Sequence, residues 1–126
     1  MELLFRFALI GIIGFAVDAS SFILIMQAMS AQTVIEINTA RILAFIIAML
    51  VTWLGNRYYT FSYAEKSSVI NQLSKHCLVA SGAFVLNFIC FQLVLLATGF
   101  LALAFLVGIG VGFICNFAMS KKRVFI

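Results

Sequence analysis

The chain has 126 residues, of which 65% are hydrophobic and 10% charged, with a formal net charge of +4 and a mean hydropathy of +1.21. This composition excludes a water-soluble fold and points to an all-α integral membrane protein: a helix needs roughly 20 residues to cross a bilayer core, so four spans use most of the chain. The absence of proline and the eight glycines set in apolar stretches favour continuous helices over a barrel, and no room remains for a catalytic domain.

The first apolar run, residues 5–29, is too long for a signal-peptide core and has no small-residue cleavage site, so it is expected to be a retained span. The second, third and fourth spans are predicted over 37–54, 77–97 and 100–117. The connections 30–36, 57–75 and 98–99 are short, which makes adjacent spans antiparallel neighbours. Of the eight cations, Arg6, Arg57, Lys66, Lys75, Lys121, Lys122 and Arg123 fall at the N-terminus, the central connection or the C-terminus. Since positive loops stay in the cytoplasm, both ends are predicted there. The charges hug the ends of the spans, so nucleic acid is not expected as a partner.

A weak internal duplication divides these spans into two hairpins. Setting Arg6 against Lys75 brings Leu9 onto Leu78, Ile10 onto Val79, Phe15 onto Phe84 and Asp18 onto Asn87. Setting Ala40 against Ala104 brings Ala44 onto Gly108, Ala48 onto Gly112, Thr52 onto Asn116, Asn56 onto Ser120, Arg57 onto Lys121 and Phe61 onto Phe125. The predicted architecture is therefore four transmembrane helices forming two parallel-repeat hairpins, about 5–61 and 74–125, in one domain over 1–126. The small residues recurring every fourth position in spans two and four permit close helix approach; helix packing and a groove between the hairpins both account for them.

Two charges fall inside apolar spans, where an unpaired charge costs several kcal/mol. Asp18 lies roughly 20 Å along the first span, at about 1.5 Å per residue, and Arg41 reaches a similar depth in the second, so the two can pair. The pair reads equally as a lock on the first hairpin or as a polar cavity in which Asp18, Arg41 and Asn87 meet a hydrophilic cargo. At the inner edge, Asn56, Arg57 and the aromatics after them are echoed by Ser120, Lys121, Lys122, Arg123, Val124 and Phe125. Such clusters anchor spans in the interface, and they can also hold lipid phosphate, with Asn116 one turn earlier. Trp53 and Tyr59 read as interfacial anchors or as a sugar-stacking surface, and His76 as an interfacial residue or proton relay. Cys77, Cys90 and Cys115 show no metal-site spacing and read as buried thiols. No nucleophile and base, carboxylate pair or phosphate-cradling glycine loop is visible, so neither an enzyme nor a cofactor is expected.

The stretches Arg6-Phe7-Ala8-Leu9-Ile10-Gly11-Ile12-Ile13-Gly14-Phe15-Ala16-Val17-Asp18, Asn56-Arg57-Tyr58-Tyr59-Thr60-Phe61 and Asn116-Phe117-Ala118-Met119-Ser120-Lys121-Lys122-Arg123-Val124-Phe125 resemble the GtrA-like family, named for a membrane component of O-antigen glucosylation clusters. Ser120 departs from the asparagine expected there, and Thr52 stands opposite Asn116. The resemblance spans nearly the whole chain. It implies a multi-pass protein of the bacterial inner membrane that flips a polyprenyl-phosphate-linked sugar for modification of surface glycans. In that reading Asp18, Arg41 and Asn87 solvate the head group, while Asn56, Arg57, Asn116, Lys121, Lys122 and Arg123 hold the lipid phosphate. A homodimer or a complex with a cognate membrane glycosyltransferase would enlarge the enclosed space. Two alternatives stand beside it: an accessory subunit that anchors such a glycosyltransferase, and a small proton-coupled drug exporter using Asp18, against which the one-sided charge distribution argues.

Overall fold

The computed structural model describes residues 1–30, 32–64 and 68–125; Lys66, counted above among the cations of the central connection, lies outside them. Among the described residues helix is the only regular secondary structure, and the chain divides into two compact units, Met1–Tyr63 and Ala64–Ile126.

In the first unit α1 (Glu2–Met29) runs into α2 (Val34–Gly55), which continues as a π-helical turn over Asn56–Thr60. Helix α1 stops at Ser30, whose left-handed backbone (φ 49°) turns its N–H onto the carbonyls of Met26 and Gln27. Thr33 then starts α2 with a capping box. Its hydroxyl accepts from the Glu36 N–H at 3.3 Å, and the Glu36 carboxylate accepts from the N–H groups of Gln32 (2.9 Å) and Thr33 (3.0 Å). The backbone N–H of Thr33, then that of Gln32, then the Thr33 hydroxyl hold the Glu36 carboxyl below its ordinary value. A depressed folded-state value means that the cap's electrostatic contribution is complete above the ordinary carboxylate range and is lost as pH falls through the folded value. An NMR titration of Glu36 should therefore find a midpoint below the ordinary one, and Thr33→Ala should raise it.

Packing in this unit follows a helical stripe. Phe7, Ile10 and Gly14 are buried on α1, and Ala40, Ala44, Ala48 and Trp53 on α2. Small residues on both faces bring the backbones together, so a Cβ on Gly14 would overlap Thr52 Cγ2.

In the second unit α3 (Val69–Thr98) and α4 (Leu101–Met119) form a like hairpin, and α4 again passes into a π turn, Ser120–Val124. The turn between them rests on Gly99, whose φ of 67° suits a residue without a Cβ and lets its N–H close onto the Leu95 carbonyl. Gln72, His76, Val79 and Ala83 are the buried stripe of α3, and Ala104, Gly108 and Gly112 that of α4.

Elsewhere the helices present large apolar side chains outward, Leu96 at 84% exposure and Phe15 at 67% among them, which suits hydrocarbon and not water. Among the described residues three helical stretches are long and apolar enough to cross a membrane, Glu2–Met29, Asn38–Thr60 and Val69–Thr98, and α4 is a fourth helix of 19 residues. The protein is a helical membrane protein.

The main departure from the predicted elements lies in the central connection. Helix α2 and its π turn reach Thr60, and α3 begins at Val69 behind a Ser68 cap that accepts from the Asn71 N–H. Polar residues in that connection and at its two edges sit on buried helical faces: Thr60 and Gln72 within it, and Asn56 and His76 beside it, are each at most 2% exposed. Periodic hydrophobicity misses a helix whose inward stripe is polar.

Candidate functional site

The charges inside the first hairpin meet. Arg41 Nη1 donates to Asp18 Oδ2 at 3.0 Å, and the guanidinium also lies 5.5 Å from the Phe22 ring centre. The Asp18 side chain is mostly covered, at 19% exposure, whereas that of Arg41 is 56% exposed. The second carboxylate oxygen, Asp18 Oδ1, is buried with no hydrogen-bond partner among the described residues. A buried carboxylate normally satisfies both oxygens, so this acceptor has bonding capacity left over, which a hydroxyl or amide donor reaches once the side chains covering it move aside. The pair therefore offers one unmet acceptor and one half-exposed multidentate donor, a combination suited to a polyhydroxylated or anionic head group.

Asn87, the third residue of the predicted polar site, lies in the second unit, half-buried and packed into the small-residue stripe of α4. A Cβ on Gly108 would stand 2.9 Å from both the Asn87 carbonyl and its Oδ1, and one on Gly112 would stand 3.0 Å from Asn87 Cβ. The two glycines thus admit the amide between α3 and α4.

The residues predicted to hold lipid phosphate are placed unequally. In the first π turn, Asn56 is buried and its Oδ1 accepts from Thr60 Oγ1 at 2.9 Å. Arg57 is 6% exposed, with its guanidinium 5.7 Å from the Trp53 ring centre and 5.9 Å from that of Tyr58. Trp53 is itself 6% exposed, so it is a buried packing residue and neither a belt residue nor a sugar platform; its ring lies inside beside the Arg57 guanidinium. In the second unit Asn116 accepts from Ser120 Oγ at 3.4 Å, while Lys121, Lys122 and Arg123 are all exposed.

Each π turn is sealed by rings. Phe7 packs edge-to-face on Phe61 at 6.2 Å in the first unit, and His76 packs likewise on Phe125 at 6.2 Å in the second. His76, expected at an interface, is 1% exposed; its ring is held inside by Phe125. The three cysteines are free and only half-buried. Gln72, His76, Thr60 and Ser120 were not singled out as buried polar residues by sequence. The register of Arg6 on Lys75 was the available signal, since it places His76 opposite the core residue Phe7. Paired π turns at matched positions merit weight because such turns concentrate at functional sites.

The family model described as GtrA/DPMS, transmembrane domain, matches residues 6–125. No curated protein matches the chain.

Proposed function

The chain belongs to the GtrA/DPMS transmembrane-domain family, and from that membership we propose that it translocates a polyprenyl-phosphate-linked monosaccharide across the bacterial inner membrane, for modification of surface polysaccharide. The chain carries no chemistry of its own in this reading and is not an enzyme. The observation that carries it is the Asp18–Arg41 pair with its unsatisfied acceptor oxygen, set within an apolar hairpin. A sugar crossing hydrocarbon must exchange water for other hydrogen-bond partners, and a charged pair with unused bonding capacity supplies them without a water-filled channel.

The accompanying architecture is four spans in two parallel-repeat hairpins with both termini cytoplasmic. Its support is the recurrence of the same pattern in each unit: a buried stripe at spacings of three and four on the first helix, small residues every fourth position on the second, then a π turn closed by a ring pair. Single cysteines placed at Ser62 and at Thr98 should label with an impermeant thiol reagent from opposite faces of the membrane, and labelling from the same face would exclude four spans.

The second reading, an accessory subunit of a membrane glycosyltransferase, draws on the exposed cations of the second π turn, which could dock a partner's acidic surface. Inverted membrane vesicles separate the two. If the chain is the transporter, a tagged polyprenyl-phosphate sugar added outside will reach the lumenal leaflet faster in vesicles that contain this chain and lack the glycosyltransferase. Acceleration that appears only when the glycosyltransferase is present supports the accessory role.

A further inference from the structure

The second hairpin carries an open groove of about 970 Å³ whose lining residues all belong to that unit. Lys75 and Arg123 line one end, brought together because His76 packs on Phe125. Leu78, Gly82, Leu86 and Met119 continue the lining, over buried Val79 and Ala83. From Lys75 to Leu86 the groove follows α3 for about 16 Å. We propose that this groove seats the lipid carrier itself, with the phosphate between Lys75 and Arg123 and the first isoprene units along the wall formed by Leu78, Gly82 and Leu86.

Charge complementarity selects that occupant. Among the described residues no ion pair engages Lys75 or Arg123, and the lining contains no carboxylate. An apolar trough with two unneutralised cations at one end matches an amphiphile that has an anionic head and a hydrocarbon tail. The corresponding place in the first unit does not offer this. There Arg6 is paired with Glu2 and donates to the Tyr59 carbonyl at 3.3 Å, and the adjoining hollow is only about 250 Å³. Arg57 is stacked on Trp53 and Tyr58. At its inner end the first hairpin therefore spends Arg6 and Arg57 on its own structure, whereas the second presents Lys75 and Arg123 to a ligand.

Gly82 provides a test that spares the fold, because a Cβ there would meet nothing within 4 Å. Gly82→Leu fills the trough while favouring helix. The proposal rests on the translocation reading, and binding by the purified full chain in detergent micelles separates the two. The probes are undecaprenyl phosphate and, in parallel, phosphatidylglycerol. Wild type is expected to prefer undecaprenyl phosphate, and Gly82→Leu and the double variant Lys75→Gln with Arg123→Gln are each expected to weaken its binding about tenfold, with helicity by circular dichroism unchanged. Unchanged binding in both folded variants overturns the groove and leaves the translocation reading standing. Equal binding of phosphatidylglycerol, lost in the same variants, makes the groove a seat for bulk phospholipid and overturns the assignment of the carrier. No binding of undecaprenyl phosphate by wild type removes the translocation reading together with the groove.

Discussion

Asp18→Asn is expected to leave the first hairpin folded and to lower translocation of the polyprenyl-phosphate sugar by about tenfold to a hundredfold. The side chain keeps its size and an acceptor for Arg41 Nη1, which now reaches Asp18 Oδ2 at 3.0 Å. What it loses is the charge that strengthens the hydrogen bonds of both oxygens, a difference of roughly 1 to 1.5 kcal/mol per bond. Arg41→Leu should do more damage, because it strands a carboxylate in hydrocarbon at a cost of about 3 kcal/mol or forces it to take up a proton. Both stability and transport should fall in that variant. The exchange of Asp18→Arg with Arg41→Asp separates the two roles of the pair. As a lock alone, the pair works in either orientation, and the exchange restores melting temperature and transport together. As a head-group site it works in one, and the exchange restores the melting temperature only.

Gly108→Leu should unfold the second hairpin in detergent, and Gly108→Ala should destabilise it by about 1 to 3 kcal/mol. The cause is geometric. A Cβ at this position lies 2.9 Å from the Asn87 carbonyl oxygen and 3.2 Å from Phe91 Cβ, so the obstruction includes backbone that cannot swing aside. A Cβ on Gly110, two residues from the stripe on each side, would meet nothing within 4 Å. Gly110→Ala should therefore hold or raise the melting temperature, since alanine is the better helix former by about 1 kcal/mol. Thermal melts of the three variants, followed by circular dichroism, check both statements. Equal melting of Gly108→Ala and Gly110→Ala would mean that α3 and α4 do not pack through the glycine stripe.

Several of these features could be read from sequence because each leaves a local mark. Apolar runs of span length located the helices, four-residue spacing of small side chains located the contact faces of α2 and α4, and two isolated charges at similar depth announced the Asp18–Arg41 pair. The polar ends of the hairpins left no such mark. Asn56, Thr60, Gln72 and His76 look like loop or interface residues to a hydropathy window, and only their burial against a neighbouring helix and ring shows otherwise. The π turns depend on backbone hydrogen bonding that residue type does not encode. Arg57 and Lys121 occupy matched positions in the sequence repeat, yet one is buried under aromatic rings and the other exposed. Arg57 has the Trp53 and Tyr58 rings beside it, where the second copy has Phe117 and Lys122.

The proposed function requires that this chain by itself move a polyprenyl-phosphate sugar between leaflets. Purified protein in liposomes, given a defined polyprenyl-phosphate monosaccharide and an impermeant reagent that reads the outer leaflet, measures this directly. Leaflet exchange is expected to be faster than in empty liposomes and to be slowed to near that background by Asp18→Asn in folded protein. Exchange no faster than in empty liposomes, from protein shown by circular dichroism to be folded, would contradict it.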